Sequence, residues 1–550
     1  MVCLSAGQGA ARVAVGEDNT LRYLAFFIVV GATILFAALT PFVGAWALWP
    51  MGIAGALTAL GIWDMLQTHH ALRRNYPILA NFRFMLESIR PEIRQYFLES
   101  DLDGAPFNRI KRSVVYARAK GQLQSRPFGT MQDVYGEGYE WLAHSMAPTK
   151  IEGHDFRVKI GGPDCKQPYS SALLNISAMS FGSLSANAIR ALNKGAKAGG
   201  FAHDTGEGSF SVHHKEGGGD IIWEVASGYF GCRNGDGTFS PERFAKTASE
   251  PQIKMIEIKL SQGAKPGHGG ILPAAKVTPE IAAARGVPMG QDCVSPARHS
   301  AFSTPLEMMA FIAQLRELSG GKPVGFKLCI GQPTEFMALC KAMIETGVTP
   351  DFIVIDGKEG GTGAAPLEFA DHLGTPLREG LTFAHDCLVG AGLRDRIKLG
   401  ASGRIITAFD MARVMALGAD WCNSARGFMF ALGCIQSMSC HTDKCPTGVA
   451  TQDPRRGEAL VVPDKAERVR RFQASTMEAL AELTAAAGVT HPADISRDQL
   501  MRRTMTGEVQ SFAEVYPQLA PGSLIDGTAG GKYARQWALA DAGSFRARVG

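Results

Sequence analysis

From about residue 172 to residue 424, short apolar runs alternate with helical stretches, and this alternation constrains the fold more than any other feature of the chain. The runs at 174–179, 201–204, 255–259, 288–291, 324–328, 352–355, 397–400 and 421–424 are too short for helices. Several end in Gly-, Ser- or Asp-rich loops, so they read as strands. Between them, residues 184–198, 305–318, 335–346 and 408–417 carry apolar side chains at helical spacing. Eight βα units predict an α/β chain closed into a (β/α)8 TIM barrel, with its chemistry at the C-terminal ends of the strands. An open doubly wound sheet is the alternative. Two late loops favour the barrel: Asp356-Gly-Lys-Glu-Gly-Gly-Thr-Gly363 and Ala401-Ser-Gly-Arg404 each follow a strand, where glycine amides can approach a phosphate closely.

The N-terminal part departs from a soluble pattern. Residues 24–40 and 45–63 carry no charge. At 1.5 Å per residue each spans roughly 25–28 Å, close to the hydrocarbon thickness of a bilayer. Pro41 and Gly44 suit the turn between them, and Trp46, Trp49 and Trp63 sit where interfacial aromatics are found. A two-helix transmembrane hairpin is expected, with a buried core hairpin as the competing reading; the apolar region is too long, and double, for a signal peptide. Arg12 and Arg22 precede the hairpin, and Arg73, Arg74, Arg83, Arg90 and Arg94 follow it. That bias orients both ends, and the catalytic body, toward the cytoplasm from the inner (cytoplasmic) membrane. The stretch 64–120 reads as helical and basic, either lying along a membrane surface or serving as a solvated connector. The expected division is 1–70 hairpin, 71–165 connector, 166–455 barrel and 456–550 a helical C-terminal extension, in which 466–487 has helical spacing.

A net charge of +4 without a basic, aromatic-interleaved stripe excludes nucleic acid as the expected partner. Of 11 cysteines, some lie in apolar runs, as Cys329 and Cys340 do, and read as small buried hydrophobes in a reducing compartment. Three others stand apart: Cys434, Cys440 and Cys445 share one compact loop. Thiolates at this density hold either an iron–sulfur cluster or, with His441, a tetrahedral zinc.

That loop, Gly433-Cys-x5-Cys-His-x3-Cys-Pro-Thr-Gly-Val-Ala-Thr-Gln452, resembles the cluster loop of glutamate synthases. Further stretches follow the family's order: Ile176-Ser-Ala-Met-Ser-Phe-Gly-Ser-Leu-Ser185, Thr205-Gly-Glu-Gly208, Val225-Ala-Ser-Gly-Tyr-Phe-Gly231, Glu257-Ile-Lys-Leu-Ser-Gln-Gly-Ala-Lys-Pro-Gly267 and the loop from Asp356. The resemblance covers roughly 170–455 and is strongest to the smaller FMN-binding, synthase-domain-only group. It implies a barrel carrying FMN and a [3Fe–4S] cluster on Cys434, Cys440 and Cys445. By the same resemblance Lys327 lies by the flavin ring, and Asp356, Gly357, Gly360, Gly361, Thr362, Gly363 and Gly403 form the FMN-phosphate loops. Glu207 and Lys265 fall on catalytic positions, and Ser185, Gln262 and Arg285 on positions that bind the 2-oxo acid. The implied reaction is reductive amination of 2-oxoglutarate to glutamate, with ammonia and an external electron donor such as a ferredoxin, a reductase or a quinone-linked partner.

The chain departs from that pattern in places. Where the family reads Ala-Lys-Pro-Gly-Glu-Gly-Gly-Gln, this sequence has His268 and Ile271 in place of the acid and the amide, and Asp443 stands for Asn in the cluster loop. An isoleucine leaves polar substrate atoms unpaired, which typically costs about 1–3 kcal/mol per group. The substrate expectation is therefore open to another amine, imine or oxo acid. Cys3 has no room before the hairpin for a glutaminase domain, and no nicotinamide-binding subunit is expected. A non-catalytic membrane protein with a decayed barrel is the remaining alternative.

Overall fold

The computed structural model describes residues 22–548; Cys3 and Arg12 lie outside them. The chain divides into two compact units, one up to Arg109 and one from Ile110.

In the first unit, helix α1 (Leu24–Val43) and helix α2 (Leu48–Leu66) fold back on each other. Uninterrupted apolar sequence propagates both helices. The turn differs slightly from expectation: α1 runs through Pro41, giving up one backbone hydrogen bond in its last turn, and stops only where Gly44 takes φ +75°. The second helix begins at Leu48 instead of Ala45, after a short 3-10 turn. Thr33 and Thr58 hydroxyls meet across the pair at 3.0 Å, and a Cβ at Gly61 would lie 2.4 Å from the Phe26 ring. The most apolar part of Leu24–Leu66 has a mean hydropathy of 2.4 and none of it is buried; Trp46 is 81% exposed. Helix α3 (Leu79–Ile93) follows and continues as a wider turn over Arg94–Leu98.

The second unit is built on a closed barrel of eight parallel strands: β1 (Leu174–Ile176), β2 (His203–Asp204), β3 (Ile221–Val225), β4 (Ile253–Lys259), β5 (Val324–Leu328), β6 (Phe352–Asp356), β7 (Lys398–Ser402) and β8 (Trp421–Ser424). Closure comes from β8 on β1, with Cys422 opposite Leu174 and Ser424 opposite Ile176. Strands covered on both faces need continuous apolar runs, which is why seven of them are legible locally. One expected strand is corrected. Residues 288–291 do not form a strand: Gly290 turns at φ +74° and Met289 is exposed. The missing strand is β3, Ile-Ile-Trp-Glu-Val, whose buried Glu224 interrupts its apolar pattern.

Helix α4 (Ala186–Gly199) covers β1, and the long helix α5 (Val462–Ala486) packs against it. Gly195 permits that contact, since a Cβ there would lie 2.5 Å from Val469 Cγ1. The C-terminal part is helical but adds two strands, Leu500–Arg503, which pairs with Glu140–Leu142, and Val509–Ser511 on its other edge, in a small antiparallel sheet. The opposite end of the barrel carries the hairpin Arg157–Ile160/Tyr169–Ala172, held near β5 and β6 by Gly162 N–H to Asp351 (2.6 Å) and Lys166 N–H to the Gly321 carbonyl (2.9 Å).

Candidate functional site

The loops that leave the C-terminal ends of the strands surround one open cleft of about 970 Å³. Glu207, Gln262, Lys265, Gly361, Thr362, Gly363 and Cys440 all line it, although they come from the loops after β2, β4, β6 and β8.

After β2 the chain turns at Gly206 (φ +59°), where a Cβ would lie 2.8 Å from the Ser180 amide nitrogen. The turn presents Glu207, whose carboxylate takes Lys259 Nζ from the end of β4 at 3.3 Å. Burial pushes Glu207 up, but Lys259, Arg285 and Lys265 outweigh it and hold the group below its usual 4.5. Lys265 is buried, and that burial, only partly offset by Glu207, holds it below its usual 10.5. Gly270 keeps this wall thin: a Cβ there would lie 2.2 Å from Glu207 Oε1.

The loops after β4 and β6 are fused. Gly263 N–H donates to Asp356 Oδ2 at 2.7 Å, and a Cβ on Gly263 would fall 1.7 Å from the Gly357 carbonyl oxygen. Asp356 and Gly357 therefore seat the glycine loop from behind, as do Gly360, whose amide donates to Gly357 O, and Gly403, which backs onto Leu377 and Glu359. Only Gly361, Thr362 and Gly363 reach the cleft wall. A Cβ at Gly363 meets nothing within 4 Å, leaving its face open to a bound anion. Arg426, one turn beyond β8, donates to the Thr362 carbonyl at 2.8 Å and approaches Cys440 Sγ at 3.8 Å, so one cation bridges the glycine wall and the thiol loop.

The thiol loop begins at Gly433 (φ +110°) and coils through left-handed Gln436, Met438 and Asp443. Cys434 and Cys445 are buried, and Cys440 stands half-buried on the cleft. Each sulfur meets a donor: Gln436 N–H on Cys434 at 3.5 Å, Arg426 on Cys440, and the Thr447 hydroxyl on Cys445 at 3.5 Å. Lys276 anchors the loop from the opposite wall, donating to the Cys440 carbonyl at 3.0 Å with Asp443 at 3.7 Å. Three thiols in one loop, each meeting a hydrogen-bond partner, suit an iron–sulfur cluster; the open glycine wall beside Arg426 suits a flavin phosphate.

Besides the residues behind the glycine and thiol loops, Lys327, Ser185 and Arg285 are also absent from the cleft wall. Lys327 is buried within the barrel, its ammonium paired with Glu224 and, at 3.2 Å, with Glu257. Glu224, Glu257 and Asp204 bring carboxylate oxygens within 4.8 Å of one another around it. Ser185 caps α4, accepting from Ala188 N–H at 3.2 Å. Arg285 is buried behind Gly182, donating to the Phe181 carbonyl at 3.2 Å and lying 5.0 Å from the centre of the Phe230 ring. Conversely, Lys259, Lys276 and Arg426 line the cleft and escaped the sequence reading. Lys259 and Arg426 carried a usable signal, each standing within two residues of a strand's C-terminal end. Ile271, 46% exposed, lines the cleft in the place expected for an amide. His268 turns aside to the Gly269 carbonyl (2.7 Å) and the Phe369 ring.

A parallel barrel whose C-terminal cleft is walled by acid–lysine pairs, a glycine loop and a three-thiol loop defines a barrel enzyme of redox type. Residues 159–490 match the profile described as the conserved region in glutamate synthase. The chain belongs to the glutamate synthase family and is an oxidoreductase of that type. It is 39% identical over 489 residues to the glutamate synthase large subunit-like protein YerD of Bacillus subtilis (strain 168), covering 81% of this chain and 92% of that one. The archaeal glutamate synthase [NADPH] of Methanocaldococcus jannaschii is 35% identical over 64% of this chain and 65% of its own length, so this chain spans under two thirds of that relative. Among solved structures, a mandelate oxidase mutant aligns with a TM-score of 0.40 and 12% identity over 78% of this chain and 99% of its own.

Proposed function

We propose that this chain reductively aminates a 2-oxo acid, 2-oxoglutarate, to the amino acid, glutamate, using ammonia and an external electron donor such as a ferredoxin or a reductase. Cys434, Cys440 and Cys445 would hold a [3Fe–4S] cluster, and the 361–363 wall with Arg426 would hold the phosphate of FMN. The observation that carries this reading is the convergence of Glu207, Gln262 and Lys265 with Gly361–363 and Cys440 on a single cleft. When bound, the cluster supplies single electrons and the flavin the two-electron reduction of an imine.

The remaining steps belong to the chain's own residues. The Lys265 side chain, as its ammonium beside Glu207, attracts the keto oxygen and polarises its carbonyl carbon. Glu207, held ionised by Lys259, takes a proton as ammonia adds and returns it as hydroxide leaves as water. Gln262 offers an amide to the substrate's polar end. The loop from Lys265 to Leu272 walls the cleft and limits water around the imine. In this reading α1 and α2 anchor the enzyme in the cytoplasmic membrane with its catalytic unit facing the cytoplasm. The uncharged, unburied hairpin and the arginines that follow it support that placement.

The test uses anaerobically purified protein with dithionite, 2-oxoglutarate and ammonium. Glutamate formation, together with a flavin spectrum and the low-temperature EPR signal of a three-iron centre, is the expected result. Protein free of iron, or no amino-acid product, overturns the proposal. Ile271 favours a second reading, a membrane-associated flavin and iron–sulfur oxidoreductase acting on a different amine, imine or oxo acid. Restoring the amide with Ile271→Gln raises 2-oxoglutarate turnover under the first reading only if this position touches substrate. If 2-oxoglutarate stays inert in both forms while another oxo acid is aminated, the second reading holds.

A further inference from the structure

Helix α3 carries an apolar stripe that nothing among the described residues covers. Leu79, Phe82, Leu86, Ile89 and Ile93 follow one another at intervals of three or four residues, and Phe97 extends the line into Arg94–Leu98. All six are exposed, Phe97 by 82%. At 3.6 residues per turn they, with Met85 and Tyr96, occupy roughly a third of the helix circumference. Arg83, Arg90 and Arg94 fall together along one edge of that stripe, and Ser88 lies on the far side. Between 71 and 98 the chain has five arginines and two glutamates. The ion pair Arg83–Glu87 (2.9 Å) is on the surface, where such pairs are weak and exchange readily, while Arg94 pairs with the mostly buried Glu99 (2.8 Å).

The start of α3 is fastened to the end of α2. Asp64, fully buried, accepts from the Ile78 amide at 3.0 Å and from the Asn81 side chain, and Ile78 packs toward Gly61. The Gln67 side chain closes the intervening turn onto His69 and His70. The stripe therefore begins at the level where the apolar span stops. A stripe edged with arginine at that depth matches the boundary between acyl chains and anionic headgroups, with the arginines reaching up to the phosphates.

We infer that α3 and its continuation through Leu98 lie flat in the headgroup layer of an anionic bilayer. The inference rests on the reading that α1 and α2 span the membrane. The full chain is reconstituted in nanodiscs of phosphatidylcholine with phosphatidylglycerol, with a benzoylphenylalanine photo-crosslinker replacing Phe82, Ile89 or Phe97 in turn, and Ser88 as control. Lipid adducts at 82, 89 and 97, absent at 88, are expected. In Arg83→Gln/Arg90→Gln, the surplus adduct yield that phosphatidylglycerol confers over phosphatidylcholine alone is lost. Chain-to-chain crosslinks in place of lipid adducts show that a second copy covers the stripe and overturn the inference, as does equal labelling of 82 and 88. The unsubstituted chain, labelled by a phospholipid with a headgroup-proximal diazirine, gives the same readout if a probe disturbs folding. Resistance of the chain to alkaline carbonate extraction is read in parallel. A chain that washes off the membrane sinks the spanning hairpin, whereas a retained chain without adducts sinks the flat helix alone.

Discussion

Glu207 and Lys259 pair at 3.3 Å on the cleft wall, and the proposed reaction gives proton handling to that carboxylate. Because Lys259, Arg285 and Lys265 hold Glu207 below its usual 4.5, it is ionised at neutral pH, and the acidic limb of kcat/KM due to Glu207 lies below pH 4.5. Glu207→Gln removes the proton acceptor, so turnover with saturating dithionite falls by about 10²–10⁴-fold while flavin and iron content stay unchanged. An equal loss of cofactor would instead assign Glu207 to structure. A second residue-scale effect concerns His299, buried between the Tyr229 hydroxyl (3.1 Å) and the Lys259 carbonyl (2.8 Å). Burial lowers it from 6.5 to about 4. The folded state thus resists a proton that the unfolded state accepts, so this histidine's contribution is intact above pH 6.5 and lost as pH falls toward 4. The unfolding free energy of the wild type should drop relative to His299→Gln by about 1.4 kcal/mol per pH unit across that window. Parallel pH profiles in urea denaturation would refute the assignment. The state of His299 was not legible in sequence, because burial of that imidazole is decided by residues as far as 70 positions away.

At the scale of elements, the glycine loop works because two strand-end loops touch backbone to backbone. Gly263→Ala would place a Cβ inside the Gly357 carbonyl, so the β6 loop must move. Destabilisation of about 1–3 kcal/mol is expected, as for an overpacked core, together with loss of retained flavin during gel filtration. A variant with unchanged Tm and full yellow colour would show that the loops are not fused. The sequence revealed that a Gly-rich turn follows β6, since Gly and a preceding apolar run are local signals. It did not reveal which glycines face the cleft. Asp356, Gly357 and Gly403 turned out to be the back of the loop because their partners, Gly263, Ser402 and Leu377, come from other segments. Strand β3 escaped for a related reason: Glu224 looks like a solvent-facing break until Lys327 is seen across the barrel.

For the whole molecule, an oxidoreductase unit is joined in sequence to a helical hairpin whose most apolar stretch is not buried among the described residues. Intact chain should sediment with membranes after alkaline carbonate washing and need detergent for release, as a spanning hairpin requires. Recovery in the carbonate supernatant would count against the anchor.

Sequence alone determined the alternation of strand and helix, the uncharged N-terminal stretches, the glycine turn after β6 and the three-cysteine loop. Each is a pattern within some twenty neighbouring residues, and hydrophobic period, turn chemistry and ligand spacing act over that range. Only the tertiary structure decided that Lys259, Lys276 and Arg426 face the cleft, that Ser185 and Arg285 brace it from outside, and that Lys327 is neutralised by Glu224 and Glu257. Barrel closure brings residue 424 beside residue 176, and such proximity has no signature along the chain.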